Sequence, residues 1–465
     1  MIIFLIPILF YLIKRKIKLY RVKNLQVNKL FVLLCTFFGL FSSVLIPLYQ
    51  VPDEYTHINM IYSERNLNIT FKSVNSNYNG VAGIIGNKRI KVNRKEYFDF
   101  SKRINNYQIF SIPNIFIIRH FPQYFGMIIG ELFHFPTFFY ITFCELLALL
   151  FYIIFCNIAL KLFPIKKFLF LLIILLPICV QQMSSFSYDC ILNSMCFLFI
   201  SYIFYLKYNN IRINLSDVII MLLLLIIIGL CKIPYVLLGG LIFILDDVKK
   251  FSSKYIFVKK NILLIVLIFL IFICLLPYLS FLRIIAASML NYKKTFFLIV
   301  ETFVMYFKEY YSSTTYILGW FDLRLTPVLG VGIGLMIIFY LITNYQKENK
   351  NEYENFNIED KLIVYLVIIV LIFSIFLSMI EWMGFADKLN DFNSYSLIAY
   401  KRYISSLRYI GGVQGRYFIP IIPLFIVLFK SRKYVNSFIY YAITLSYYIF
   451  YFIIFIYSVL NRYWI

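Results

Sequence analysis

The chain has no Cys-x-x-Cys pair; its eight cysteines, at 35, 144, 156, 179, 190, 196, 231 and 274, fall mostly inside apolar runs. They read as small hydrophobes, and zinc ligation or a disulfide framework is set aside. The spacing GxxxxGK[ST] is absent, which excludes a phosphate-binding P-loop. No small-residue cleavage site follows the first apolar run, and the basic cluster Lys14-Arg15-Lys16 comes after that run, so a cleaved signal peptide is not expected. No internal repeat is visible, which weighs against a transporter built from two related halves. Charged residues are scarce at 14%. The net charge of +23 is spread as punctuation between apolar runs, without the basic stripe of a soluble face that nucleic acid requires.

Apolar residues dominate instead. Of 465 residues 62% are hydrophobic and 20% aromatic, and the mean hydropathy is +0.81. A soluble domain holds roughly 45–50% apolar residues. The expected class is an all-α integral membrane protein, a polytopic bundle of about 11 to 12 transmembrane helices with external juxtamembrane helices. Candidate spans fall near 2–13, 30–49, 136–160, 168–180, 191–206, 217–231, 234–245, 262–279, 326–345, 362–382, 417–429 and 435–460. Several are shorter than the roughly 20 residues of a perpendicular span, which implies broken or tilted helices or a local cavity. Residues 2–13 either span or lie on the surface.

Basic residues orient the bundle. Lys14 to Lys29 holds seven Lys or Arg, Asp246 to Lys260 five, and Lys161 to Lys167, Lys347 to Lys361 and Lys430 to Lys433 three each. These segments are expected in the cytoplasm. By alternation, Gln181 to Cys190, the Lys232 turn, the tail from Asn461 and the loops 50–123, 280–325 and 383–416 are expected outside. Residues 280–325 interleave aromatics with Lys293, Lys294, Lys308, Glu309 and Asp322, the mix of an interfacial helix. Residues 65–103, rich in Asn, Gly, Lys and Arg, read as a mobile flap. The expected organisation is a hydrophobic segment and basic cytoplasmic stretch over 1–27, a transmembrane bundle over 28–430 and a C-terminal transmembrane helix over 431–465.

Polar clusters at the expected external ends are the site candidates. In Pro52-Asp53-Glu54-Tyr55-Thr56-His57, Asp53 and His57 stand at i and i+4 on one helical face. A carboxylate beside an imidazole at a bundle mouth can deprotonate a hydroxyl, orient a base or ligate a divalent metal. The same residues also suit a capped interfacial helix, with proline in its first turn and acids at its positive end. In Gln181 to Asn193, Ser187 or Asp189 suits an N-cap; the functional alternative puts Asp189 and Asn193 in the vestibule of Asp53. Lys232 lies between two apolar runs, as a snorkelling lysine or as a functional one. In Gly411-Gly412-Val413-Gln414-Gly415-Arg416-Tyr417, glycines permit close backbone approach to a ligand and Arg416 offers a planar fork for phosphate; an interfacial turn with an arginine anchor is the alternative. His120 and His134 are expected as interfacial histidines and Trp320 as a belt residue, with Asp322 a weak site candidate.

Taken in order, PDExxH at Pro52 to His57, QQxxSxSYDxxxN at Gln181 to Asn193, KxPY at Lys232 to Tyr235, GWxD at Gly319 to Asp322 and GVQGRYFxP at Gly412 to Pro420 resemble a family of multispanning bacterial and archaeal membrane proteins, catalogued as a domain of unknown function and grouped with the GT-C glycosyltransferases. The resemblance covers roughly residues 28–430. It implies a GT-C-like bundle in the plasma membrane, with an active site on the external face that moves a sugar from a polyprenyl-phosphate donor to a cell-surface glycan acceptor, usually with inversion. It places the essential acid at Asp53, with Glu54 its neighbour or a metal ligand. The first loop lacks a DxD pattern, so a divalent metal ion stays an open cofactor. His57 is the orienting partner or a metal ligand; Arg416 and Lys232 are the candidates for the leaving phosphate. Asp189, Asn193, Gln414 and Tyr417 complete the expected substrate-binding set. Membrane lipids are expected partners and nucleic acid is not. The alternative is a lipid-linked oligosaccharide flippase, a polysaccharide polymerase or another transporter.

Overall fold

The computed structural model describes residues 5–19, 26–48, 50–64, 98, 115–211, 213–245, 279–344, 356–386, 397–430 and 433–464. The flap expected at 65–103 (Phe98 apart), the basic loop at 246–260 and the span at 262–279 (Leu279 apart) lie outside the described residues. Among the described residues, five helices are long and apolar enough to cross a membrane: Gln26–Leu45, Thr137–Leu162, Asp189–Tyr208, Ile358–Met383 and Ser437–Tyr463. Four shorter apolar segments accompany them, Leu215–Cys231, Ile233–Leu245, Pro327–Ile342 and Gly415–Ile426. The all-α membrane class expected from the sequence agrees with these helices; of the about 11 to 12 spans expected, the described residues give five full-length candidates and four shorter apolar segments.

Proline and glycine explain the short pieces. The apolar run at 168–180 is two helices, Lys167–Ile174 and Pro177–Met183, with Pro177 in the first turn of the second, where its missing N–H costs nothing. Ile233–Leu245 winds as a 3₁₀ helix through Pro234 and the weak helix formers Gly239 and Gly240. Gly415–Ile421 is likewise 3₁₀, contains Pro420 and continues into Ile422–Ile426. Such breaks need shielding from lipid, and each has neighbours packed around it.

Asp189–Tyr208 is the axis of the bundle, with 94% of its span buried, and Phe197, Phe199 and Tyr202 packed away from the surface. It runs along Thr137–Leu162, onto which Phe121–Leu132 also packs. A side chain at Gly126 would come within 2.8 Å of the Cys144 backbone, so this crossing depends on glycine. Ser437–Tyr463 is the opposite case, only 28% buried, with Leu445, Ile449, Ile453 and Tyr457 exposed at four-residue spacing along one face. A stripe of that kind suits lipid. The expected interfacial segment forms two helices, Leu279–Leu290 and Tyr292–Thr315, followed by the two-residue strands Ile317–Leu318 and Leu323–Arg324, paired antiparallel around Gly319 to Asp322.

The two ends of the bundle differ. At one end, Lys16 on the Leu5–Leu19 helix meets Asp217 at 2.6 Å, and Asp217 also accepts from Tyr202 Oη at 2.6 Å and from the Asn214 backbone N–H at 2.8 Å. Lys207 meets Asp360 at 2.8 Å. Lys166 Nζ donates to the carbonyls of Leu341 and Phe429, 2.8 Å each, tying off chain ends whose carbonyls have no helical partner. Of these residues Lys16, Lys166 and Asp360 belong to segments that the charge pattern groups on one side. The acids and cations of the candidate site gather at the other end.

Candidate active site

Pro52 and Asp53 form a turn after the Gln26–Leu45 helix, and the next helix, Glu54–Glu64, starts two residues after Pro52, so the proline precedes it and is not in its first turn. Asp53 sits at its head with a left-handed φ of 65°, and its carbonyl accepts from the His57 backbone N–H at 3.0 Å. For a non-glycine residue that conformation costs about 1–2 kcal/mol; aspartate bears it better than most. The turn sends the Asp53 carboxylate to the guanidinium of Arg416, which is buried.

Arg416 is shared by two acids. Its Nη2 donates to Asp53 Oδ2, and its Nη1 lies 3.5 Å from Asp189 Oδ2. Asp189 is free for this because Ser187 Oγ, not the aspartate, accepts from the backbone N–H at the head of the Asp189–Tyr208 helix, at 3.1 Å. Arg416 Nε is buried without a hydrogen-bond partner. Gly415, next to it, lies directly against the Tyr310 carbonyl and the Ser313 hydroxyl, so here the glycine allows a close approach of backbone to backbone.

Lys232 joins the cluster from the end of the Leu215–Cys231 helix. Its Nζ stands 3.4 Å above the centre of the Tyr417 ring, a cation–π contact, and Arg416 Cζ lies 5.4 Å from the same ring. Tyr235 Oη donates to the Tyr417 carbonyl at 2.6 Å, fixing the ring's backbone. Burial lowers the Lys232 ammonium from its usual 10.5 to about 8, against the opposing pull of Asp189. KxPY and GVQGRYFxP thus converge in space.

The His57 ring makes its hydrogen bond to another imidazole and not to the Asp53 carboxylate. Its Nδ1 lies 3.3 Å from His120 Nε2, and its ring meets Tyr188 edge-on at 4.6 Å. His120, expected at the interface, is fully buried. Burial, then the nearby Arg416 charge, lowers His57 from 6.5 to about 3, and burial followed by His57 holds His120 well below its usual value. Both imidazoles are neutral at pH 7 and can hydrogen-bond to each other. Glu54 is buried, and its Oε1 accepts from the Phe186 backbone N–H at 3.2 Å, anchoring the loop that presents Asp189. Gln123, which no sequence motif flagged, holds that loop from below by donating to the carbonyls of Ser185 and Ser187 at 3.1 and 3.2 Å.

Asn193 is buried one turn beyond Asp189, and Gln414 is half-buried at the head of Gly415–Ile421. The GWxD turn docks separately: Gln181 Oε1 accepts from the Gly319 backbone N–H at 3.2 Å, and Asp322 Oδ2 accepts from Arg462 Nε at 2.9 Å. Trp320 is partly buried in that turn and His134 lies exposed in another. Among the described residues, no three His, Cys, Asp or Glu side chains converge in a way that could hold a metal ion.

The arrangement combines a carboxylate with 43% of its side chain exposed, a buried guanidinium and an ammonium on an aromatic face. It can accept a proton and receive an anion side by side. No curated protein and no solved structure matches the chain. A family model does match, over residues 34–425, and with most of its length covered the chain belongs to the family described as "Predicted membrane protein (DUF2142)".

Proposed function

We propose that this membrane protein is an inverting glycosyltransferase of the GT-C kind, moving a sugar from a polyprenyl-phosphate carrier to a surface glycan at the external face. The observation that carries the reading is the shared guanidinium: an accessible carboxylate, Asp53, is held beside the buried cation Arg416 at the mouth of an apolar bundle. In the reaction an acceptor hydroxyl gives its proton to Asp53, and its oxygen forms the new bond to the anomeric carbon. The bond from that carbon to the carrier phosphate breaks, and the phosphate leaves with the electron pair. Arg416 and Lys232 meet the negative charge as it develops, where fixed cations in a dry site are most effective. Asp189 keeps the guanidinium aimed while Asp53 is engaged with substrate. The neutral His57–His120 pair packs behind Asp53 as part of the wall.

The test is transfer by purified protein in liposomes supplied with a polyprenyl-phosphate sugar and a hydroxylated acceptor. Asp53→Asn should fold and insert but lose roughly 10²- to 10⁴-fold in rate, the usual contribution of a positioned base. Near-normal transfer by this variant removes Asp53 from the chemistry. Movement of an intact lipid-linked glycan across the bilayer without transfer would favour the flippase reading instead.

A further inference from the structure

A cavity of about 580 Å³ opens at the end of the Ser437–Tyr463 helix, beside the Asp322–Arg462 contact and with none of Asp53, Asp189, Lys232 or Arg416 in its lining. Its lining includes Phe321, Asp322, Arg324, Tyr457, Asn461 and Arg462. Two guanidinium groups face one carboxylate, so the cavity carries an excess positive charge. Asp322 steadies the Arg462 guanidinium through Nε and Nη2, and its own Oδ1 is buried without a partner. Arg324 is exposed and has no ion-pair partner among the described residues.

The surroundings are apolar. Phe321 and Tyr457 are 49% and 70% exposed at the rim, and Phe321 is held there by a left-handed backbone of φ 63°. Tyr457 is also the last member of the exposed stripe Leu445, Ile449, Ile453 and Tyr457. A cationic cup at the head of a four-residue-spaced apolar stripe has the layout of a lipid: charge at the top, chains along the helix below. A soluble anion would use the cup and have no use for the stripe.

We propose that this cavity binds the phosphate headgroup of an anionic membrane phospholipid, with the acyl chains lying along the exposed face of the Ser437–Tyr463 helix. Arg324 and Arg462 take the phosphate, and Asn461 and Asp322 take the hydroxyls of a glycerol-type headgroup. This site is independent of the glycosyl-transfer reading.

The experiment is native mass spectrometry of the full detergent-solubilised chain, titrated in parallel with phosphatidylglycerol, phosphatidylcholine and inorganic phosphate. The wild-type protein should retain phosphatidylglycerol in preference to phosphatidylcholine. Arg324→Gln, at an exposed position and with an unchanged melting temperature, should weaken phosphatidylglycerol about fivefold, the value of one basic contact to an anionic lipid surface, and leave phosphatidylcholine alone. The same fivefold step should persist in an Arg416→Gln background. Equal retention of the two lipids, no effect of Arg324→Gln, or loss of the step when Arg416 is changed would each overturn the assignment. Displacement of phosphatidylglycerol by millimolar inorganic phosphate would overturn the lipid as ligand and leave an anion pocket.

Discussion

Replacing Arg416 with methionine withdraws one cation from two carboxylates in different surroundings. Asp53 has 43% of its side chain exposed and Asp189 10%. Water takes over at Asp53, so losing that pair resembles losing a surface ion pair, about 0–1 kcal/mol. At 3.5 Å from Asp189, with an effective dielectric of about 20, the gross attraction is ~5 kcal/mol, most of it offsetting the desolvation of both ions. The net value of the pair is small, but stranding one partner is costly, about 3–5 kcal/mol for an uncompensated buried charge. At about 2 °C per kcal/mol for a chain of this size, Arg416→Met should lower the melting temperature in detergent by roughly 6–10 °C. Asp53→Asn should lower it by about 2 °C or less on the same scale. Adding Asp189→Asn to Arg416→Met should recover more than half of the loss, because the stranded charge is gone. Intrinsic fluorescence during a temperature ramp reads all four proteins. Arg416→Met melting with the wild type, or no recovery in the double variant, would refute the shared-guanidinium account.

The neutral histidine pair gives a pH signature: His57 is lowered from 6.5 to about 3 and His120 is lowered too, so as pH falls below about 6.5 the unfolded chain takes up protons that the folded chain refuses and stability should decline. Melting curves from pH 7.5 to 4.5 should show the slope, and His57→Gln should flatten it; an equally steep His57→Gln profile assigns the acid sensitivity elsewhere. Sidedness is testable because the seven described native cysteines are buried: a cysteine at His134 should react with an impermeant thiol reagent in intact cells and one at Asn209 should not, and the reverse pattern would put the candidate site in the cytoplasm. Donor affinity should drop in Arg416→Lys, since a point charge does not replace a fork, and the Lys232→Met, Arg416→Lys double should lose less than the sum of the singles. Strict additivity would mean that the two cations serve different ligands.

Long uninterrupted apolar runs made much of the scaffold legible. Expected spans at 136–160, 191–206 and 435–460 correspond to Thr137–Leu162, Asp189–Tyr208 and Ser437–Tyr463. Broken spans were readable from their shortness, since a run such as 168–180 contains Pro177 and is too brief to cross straight. The resemblance to a membrane-protein family of unknown function was read over roughly residues 28–430, and the family match runs over 34–425. The partners inside the site were less legible. Asp53 and His57 share a face by spacing, yet one turns to Arg416, 363 residues away, and the other to His120, 63 residues away. No local period encodes a tertiary pairing of that range. The clue available was scarcity: the chain has three histidines, and two of them meet.

The end of the bundle opposite the candidate site is held by buried charges. Lys16–Asp217, Lys207–Asp360 and the double grip of Lys166 on Leu341 and Phe429 tie seven separate places in the chain there. Opening that end means separating buried charges at about 3–5 kcal/mol for each broken pair. At the other end Arg416 faces two acids, of which Asp53 alone has a large part of its side chain, 43%, in reach of water. The exposed carboxylate and the buried ties thus sit at opposite ends of the same helices, so a ligand that reaches Asp53 does so from the end the ties leave alone.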